Sequence, residues 1–220
     1  MFVAGVVATL VVQSQFALAS AYPEMRDADA WMYSQGGEHT GAYQRRVDAA
    51  PLSGQDPGPC QTSPYGPNSI YYPMTMLITL GSGLWVETID LGTGHGCQGQ
   101  RYWYWAYRVN NVWRHIDAEW NIPLRENYFD IHRLRDGYWR WDVNGVNKYT
   151  MGWNTNARDV SYGYESYNSA AETPWVTYDL LQKTMNDGPW VNLNGSLFGE
   201  GPCAVKISSN AFQQRQAPGC

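Results

Sequence analysis

Alternating apolar and polar positions recur in short runs from residue 70 onward, and they predict a series of β-strands. Two neighbouring runs, Leu84 to Leu91 and Arg101 to Val109, are joined by a glycine-rich connection. The first run carries one acid, Glu87, among apolar residues, and the second holds five aromatic residues between Tyr102 and Tyr107. Because every second side chain of a strand lies on the same face, this stretch predicts a sheet with an aromatic face.

Similar runs continue towards the C-terminus, separated by turn signals. Asn144-Gly145 is a strong signal for a two-residue hairpin, and it joins the runs Tyr138 to Val143 and Val146 to Thr150. The other predicted strands are Tyr71 to Leu80, Asn127 to Leu134, Val160 to Tyr167, Pro174 to Gln182 and Cys203 to Ser208. The helical candidates are Ala42 to Ala49 and Asp179 to Asn186. Short strands at regular spacing predict an all-β fold, an antiparallel β-sandwich or jelly roll.

The N-terminal 69 residues differ from the rest of the chain. Residues 1–21 have the pattern of a signal peptide, an apolar run followed by small residues suited to cleavage near Ala19, and the run is too short to span a membrane. No Lys or Arg precedes that run, so a misassigned start or an ordered apolar arm stays open. Residues 22–69, rich in Gly and Pro after residue 50, predict an irregular arm or propeptide. Residues 70–220 predict the β-sandwich domain.

Composition narrows the class of protein. Aromatic residues make up 15% and charged residues 16% of the 220 residues, and 22 Gly and 12 Pro accompany them, which favours short strands and turns over helices. A net charge of -5 gives no basic patch and argues against nucleic acid as a partner. The chain predicts no membrane span and no cofactor.

Four cysteines indicate disulfide bonds and an oxidising, extracellular compartment. They are Cys60, Cys97, Cys203 and Cys220. Of the three possible pairings, Cys60–Cys97 with Cys203–Cys220 is favoured, because the second bond would hold the C-terminal tail locally. No cysteine has a spacing typical of zinc ligands, so no metal site is predicted.

Two acids, Glu87 and Glu165, lie in the middle of predicted strands. An acid on an aromatic sheet face is desolvated, which raises its pKa and suits proton transfer, and two such acids facing one groove would form an acid/base pair. The alternative is that each carboxylate faces solvent or accepts hydrogen bonds from Tyr or Trp in a structural network. His132 follows Asp130 by two residues on the same face, and a cross-strand hydrogen-bonded pair is the structural interpretation.

The succession of strands resembles that of a broad group of secreted jelly-roll proteins, which includes exported proteins of actinobacterial type and, as a more distant resemblance, the glutamic peptidases. The segments that carry this resemblance, within residues 70–182, are LWVETIDL, RYWYWAYRV, NYFDIHRL, GYWRWDVNG and SYGYESYN. The resemblance implies a concanavalin-like sandwich with a grooved sheet. It also implies that Glu87 and Glu165 take the places of a catalytic pair, as in the two-Glu variant of these peptidases. Glu87 would then polarise the scissile carbonyl, and Glu165 would act as the general base in acid.

Aromatic side chains support a different function. A platform for sugar rings or for a partner's apolar surface could include Trp85, Trp103, Trp105, Tyr107 and Tyr167, although most rings of a β-sandwich fill its core. The sequence favours a secreted binding or adaptor module that engages a glycan, polymer or protein partner through an aromatic groove. An acid endopeptidase of the glutamic type is the alternative, and a subunit of a larger secreted assembly is a third hypothesis.

Overall fold

A computed structural model describes residues 30–47, 70–80, 86–95, 101–110, 112–120, 122, 125–166, 174–185, 187–198 and 203–215. All regular structure in these residues is β-strand. The strands are β1 (Ala30–Val47), β2 (Ile70–Leu80), β3 (Val86–His95), β4 (Arg101–Val109), β5 (Val112–Trp120), β6 (Glu126–Arg133), β7 (Tyr138–Val143), β8 (Val146–Gly152), β9 (Ala157–Ser166), β10 (Val176–Met185), β11 (Val191–Asn192), β12 (Ser196–Phe198), β13 (Ala204–Ser208) and β14 (Ala211–Gln214). Among the described residues, no helix is long and apolar enough to span a membrane.

The predicted all-β fold is confirmed, and every ladder between the strands is antiparallel. β4 and β7 have the bounds that the sequence predicts. The hairpin between β7 and β8 turns at Asn144 and Gly145, whose φ angles are 52° and 75°. Positive φ at both turn residues matches the twist of the flanking strands, which explains why Asn-Gly marks this position.

The long strand β1 belongs to both layers of the sandwich. Its first half pairs with β9, and its second half, Gly41 to Val47, lies between β10 and β6. Layer I therefore has the order β13-β14-β10-β1-β6-β7-β8, and layer II has the order β1-β9-β2-β3-β4-β5. The register of β1 against β9 shifts between Gln35 and His39, at the point where the strand passes from one layer to the other.

Aromatic side chains of the two layers meet in the core. Trp139 and Trp141 of β7 are fully buried, and Trp103 and Trp105 of β4 belong to the same apolar cluster. The indole N–H of Trp141 donates to the main-chain carbonyl of Asp90, at 3.0 Å, which ties layer I to layer II. Burial of each side chain of this size contributes roughly 2–3 kcal/mol, so these rings are a large part of the stability.

Part of the predicted irregular arm is a central strand. β1 covers residues 30–47, and the rest of the predicted arm, like the predicted signal peptide, lies outside the described residues. The helix predicted at Ala42 to Ala49 is wrong over residues 42–47, because burial alternates there with a period of two: Ala42, Gln44 and Arg46 are buried, whereas Tyr43 and Arg45 are partly exposed.

The helix predicted at Asp179 to Asn186 is also wrong over the described residues, which belong to β10 up to Met185. Tyr178, Leu181 and Thr184 are buried at intervals of three residues, which resembles the spacing of a helix face. The cause is Leu180, whose φ of 49° interrupts the alternation of the strand. A non-glycine residue with positive φ is uncommon, and nothing in the sequence marks it.

Candidate functional site

An open cleft of about 630 Å³ lies on the outer face of layer I. This volume is within the range of small-ligand sites. Side chains of β1, β6 and β7 and the hairpin turn line this β6–β7 cleft: Tyr43, Arg125, Glu126, Tyr128, Asp130, Asp142, Asn144 and Gly145.

The alternation of β6 gives the cleft its polar side chains. Phe129 and Ile131 are fully buried in the core between the layers. Tyr128, Asp130 and His132 are partly exposed and lie on the opposite face. The sequence NYFDIHR, read with a period of two, therefore places a phenol, a carboxylate and an imidazole in a row on the surface of the sandwich.

Asp130 of β6 lies directly opposite Asp142 of β7. Each carboxylate is bonded to a basic side chain on its own strand: His132 Nδ1 lies 3.0 Å from Asp130 Oδ1, and Arg140 Nε donates to Asp142 Oδ1 at 2.7 Å. Asn147 also donates to Asp142 Oδ1, at 3.2 Å. Like charges directly opposite one another on a sheet are unfavourable, and these partners offset that repulsion.

The hydrogen bond to Asp130 raises the pKa of His132 above its usual range, although burial opposes the shift. The nearby carboxylate of Asp142 acts in the same direction. The imidazole is therefore protonated more readily than a free histidine. The hydrogen bond joins two residues of the same strand, β6, so the structural pairing expected across strands is found within one strand.

Asp130, His132 and Asp142 are also the described residues that could hold a metal ion. One ligand atom of each lies within 4.8 Å of the other two, and imidazole and carboxylate suit several divalent metals. A metal would have to displace His132 from Asp130 and Arg140 from Asp142, and the imidazole would have to be neutral. As arranged here, the three side chains form an ion-pair network that favours a ligand with hydrogen-bond donors.

Three aromatic rings form a row beside these carboxylates. The ring centroid of Tyr43, on β1, is 6.3 Å from that of Tyr128 and 5.9 Å from that of Trp190. Trp190 is 39% exposed. Burial, the neighbouring Tyr128 and the carboxylate of Asp130 raise the pKa of the Tyr43 hydroxyl, so that it remains a hydrogen-bond donor at neutral pH. The row, Trp190–Tyr43–Tyr128, is an aromatic surface with a polar edge.

A glycine of β1 allows Trp190 to pack close to the sheet. A Cβ atom at Gly41 would lie 2.8 Å from Cη2 of Trp190 and 2.5 Å from Cγ2 of Thr184, both shorter than real contacts. The loop before Trp190 is held by hydrogen bonds from Asp187 N to Thr40 Oγ1 and from Thr184 Oγ1 to the carbonyl of Gly188. The position of the indole is therefore set by the backbone below it.

Arg45 holds the rim of the cleft. Its guanidinium donates to both carboxylate oxygens of Asp179, at 2.7 and 2.5 Å, and lies 3.4 Å from Glu126. Glu126 in turn accepts a hydrogen bond from the Tyr128 hydroxyl. Two-point guanidinium–carboxylate pairs fix geometry as well as charge, so Arg45 orients both Glu126 and Tyr128.

The aromatic residues that the sequence selected as a ligand platform lie elsewhere. Trp103 and Trp105 are in the core, 5% and 7% exposed, because β4 turns them towards β7. Tyr107 packs against the edge of that core and stacks with His115 at 6.1 Å between ring centroids. Trp85 and Tyr167 lie outside the described residues. Of the predicted platform, Trp103 and Trp105 therefore belong to the core, and a different aromatic row lies on the outer face of layer I.

The two candidate acids are far apart along the sheet. Glu87 is paired with Thr79 of β2, whereas Glu165 is paired with Tyr71. Eight residues of an extended strand span about 26 Å at roughly 3.3 Å per residue. Glu87 also shares a strand face with Ile89 and Leu91, which belong to the core. The strand register does not bring the two glutamates together as a pair that shares a proton.

The outer face of layer II is filled by its own aromatic residues in the part that the structure describes. Tyr102 and Tyr104 of β4 are buried there, and Tyr102 packs against Trp120 of β5 at 4.5 Å between ring centroids. Gly94 of β3 lies directly below Tyr102, where a Cβ atom would be 2.1 Å from the ring. In the described residues, this face is therefore covered by the sheet's own aromatic side chains.

Cys203 is disulfide-bonded. The other three cysteines, and with them the predicted pairing, lie outside the described residues.

Two residues of this candidate site could not be identified from the sequence. Tyr43 lies in the stretch that predicts an irregular arm, and Trp190 lies in a short loop between β10 and β11. The signal that was available is the alternation of Tyr128, Asp130 and His132 on β6. It indicates a polar strand face, but it does not show which strand lies beside it.

The sequence matches no family model and no curated protein. Solved structures with a similar fold include scytalido-glutamic peptidase bound to a transition-state analogue inhibitor, with a TM-score of 0.56, 10% identity and coverage of 87% of this chain and 98% of that one. SCP-B, a member of the Eqolisin family of peptidases, in complex with the tripeptide Ala-Ile-His, has a TM-score of 0.54, 10% identity and the same coverage. What these proteins share with this chain is the fold.

Weaker similarity extends to glycoside-cleaving enzymes. The β-glucanase of Bacillus licheniformis has a TM-score of 0.39 and 10% identity, over 82% of this chain and 66% of that one. At these identities the comparisons establish a β-sandwich like that of the glutamic peptidases. The function has to be argued from the site.

Proposed function

We propose that this protein is a secreted binding module and that its β6–β7 cleft holds a segment of a glycan chain. The observation that carries the proposal is the row Trp190–Tyr43–Tyr128 on the surface of layer I, beside the carboxylates of Asp130 and Asp142. Aromatic rings cover the apolar faces of sugar rings, and carboxylates accept hydrogen bonds from sugar hydroxyls.

Preorganisation supports this interpretation. Gly41 lets Trp190 pack tightly, and Arg45 fixes Glu126 and Tyr128 through its paired bonds to Asp179. Because these side chains are held before a ligand arrives, little conformational entropy is lost on binding. The exposed part of the site is rigid and polar at its edge, as binding surfaces that rely on Tyr and Trp generally are.

The acid peptidase alternative has less support from the geometry. The fold resembles that of glutamic peptidases, but the separation of Glu87 and Glu165 along β2 leaves the proposed catalytic pair without a shared site. A binding function needs no such pair. The peptidase alternative is therefore tested separately, by measuring proteolysis.

Glycan binding is tested by titrating wild type and variants with insoluble and soluble polysaccharides. Trp190→Ala and Tyr43→Ala should each weaken binding about 5- to 30-fold, since stacking on one ring is worth roughly 1–2 kcal/mol. Trp175→Ala is the matched control, because Trp175 is 37% exposed and stacks on Arg215 instead. Binding that survives Trp190→Ala and Tyr43→Ala, or that Trp175→Ala weakens equally, would overturn the proposal.

A further inference from the structure

The carboxylates of the β6–β7 cleft each have one oxygen that accepts no hydrogen bond from the described residues. Asp130 uses Oδ1 for His132, and Asp142 uses Oδ1 for both Arg140 and Asn147. The side chain of Asp142 is only 9% exposed, yet it lines the cleft. The second oxygen of each carboxylate can therefore accept a hydrogen bond from a ligand that lies in the cleft.

Two of the three arginines around the cleft, Arg45 and Arg140, are paired with acids, and the third, Arg125, also lines the cleft. Arg45 is bonded to Asp179 and lies beside Glu126, and Arg140 bonds to Asp142 through its Nε. Counted together, Asp130, Asp142 and Arg140 carry a charge of −1 when His132 is neutral. The rings of Tyr43 and Tyr128 add a surface that attracts cations.

We propose that, among glycans, the cleft selects chains that carry protonated primary amino groups, with one ammonium placed between Asp130 and Asp142. The inference rests on the proposed function and deepens it. An ammonium offers three donors, which can satisfy the second oxygen of each carboxylate and one further acceptor. It also relieves the repulsion between two acids that lie directly opposite each other.

His132 sets the pH dependence of this selection. The charged groups that face it are Asp130 on its own strand and Asp142 and Arg140 on β7, while its neighbour on β1 is Gly41. When the imidazole is protonated, its positive charge cancels the net charge of −1 carried by Asp130, Asp142 and Arg140. An aliphatic ammonium stays charged through the same pH range. If the preference for the amino form weakens in mild acid, the cause is therefore protonation of the imidazole and not a change in the ligand.

The test uses one neutral oligosaccharide backbone in three forms, with hydroxymethyl, aminomethyl or carboxylate groups at the same ring position. At the alkaline end of the His132 titration, where the imidazole is neutral, the amino form should bind wild type about tenfold more tightly than the neutral form, as expected for one charge-assisted hydrogen bond. Asp142→Asn and Asp130→Asn should reduce that ratio to near one. Asp117→Asn, an exposed acid on β5, is the control and should leave the ratio unchanged.

The outcomes separate this inference from the proposed function. Equal binding of the neutral and amino forms would overturn the selection for amines and leave glycan binding standing. Binding of none of the three forms, or of any other tested polysaccharide, would overturn both. A chelator that abolishes the preference would assign Asp130, His132 and Asp142 to a metal ion and so overturn the ammonium site. A preference that weakens as pH falls towards about 5.5, and does so less in His132→Gln, would support it.

Discussion

Asp130 and Asp142 face each other across β6 and β7, and each is bonded to a basic side chain two residues away on its own strand. The two basic residues, His132 and Arg140, are also paired across the strands. Acid therefore lies opposite acid and base opposite base, with the favourable contacts running along the strands. This arrangement is stable only while both ion pairs persist. Substitutions or pH changes that alter one of the four charges should therefore affect stability on this face of layer I.

Loss of Arg140 should destabilise the protein more than loss of a surface arginine usually does. Asp142 is 9% exposed, and Arg140 Nε bonds to it at 2.7 Å. We expect Arg140→Gln to lower the free energy of unfolding by about 1 kcal/mol, at the upper end for a partly exposed pair. Urea denaturation measures it, with Arg135→Gln in the exposed hairpin turn as the control. Adding Asp142→Asn should restore part of the loss, and equal losses in both arginine variants would contradict this account.

His132 should make stability depend on pH near neutrality. Its pKa is raised above the usual histidine value of about 6.5, so the folded state binds the proton more tightly than the unfolded state. The stabilisation is present below pH 6.5 and is lost as pH rises through the raised pKa of the folded protein. An NMR titration of the imidazole and urea denaturation between about pH 5.5 and pH 8.5 measure both quantities. In His132→Gln this pH dependence of the free energy of unfolding should vanish. If it is unchanged in the variant, another group is responsible for it.

Two substitutions in the hairpin turn at the mouth of the cleft distinguish the contribution of the backbone to stability from that of a side chain. At Gly145 φ is 75° and a Cβ atom would meet nothing within 4 Å, so Gly145→Ala should cost about 1 kcal/mol through backbone strain alone. Asn144 accepts a hydrogen bond from Tyr128 N at 2.9 Å and donates to Asn127 at 3.1 Å. Asn144→Gly keeps the backbone and loses both bonds, for about 1–2 kcal/mol. Thermal unfolding of the two variants measures the difference, and a larger loss in Gly145→Ala would reverse the ranking.

Core and surface tryptophans should respond in opposite ways to truncation. Trp105 is buried between the layers, and Trp105→Ala should lower the free energy of unfolding by about 3–5 kcal/mol. Trp190 is exposed beside Tyr43, and Trp190→Ala should cost less than about 1 kcal/mol while ligand binding is lost. Unfolding and binding measured on the same samples distinguish the two. A Trp190→Ala variant as unstable as Trp105→Ala would make Trp190 a structural residue.

The sequence was most informative where local chemistry determines the structure. The hairpin at Asn144-Gly145 and the bounds of β4 and β7 follow from turn chemistry and alternation. The strand β1 was missed because its buried residues include His39, Gln44 and Arg46, which read as surface residues. β5 was missed as well, since its alternation is irregular and the register against β4 shifts between Tyr107 and Arg108.

The candidate site was harder to predict than the fold, because it is formed by strands that are distant in sequence. Asp130 lies beside Tyr43 of β1 and opposite Asp142 of β7, and only the pairing of strands brings them together. The aromatic strand β4 was the more conspicuous signal, yet Trp103 and Trp105 fill the core. Side-chain type alone does not distinguish a ring that packs inside a sandwich from one that faces a ligand.

The register of β2 predicts how the two glutamates behave in an assay for proteolysis. Glu87 and Glu165 are paired with Thr79 and Tyr71, eight residues apart, so neither can share a proton with the other. Any cleavage of an unfolded substrate between about pH 2 and pH 7 should therefore respond additively to Glu87→Gln and Glu165→Gln, as expected for distant sites. The rates of wild type, both single variants and the double variant measure this. Acid-dependent cleavage that each single substitution abolishes would show the two carboxylates acting as a unit, and it would restore the peptidase function.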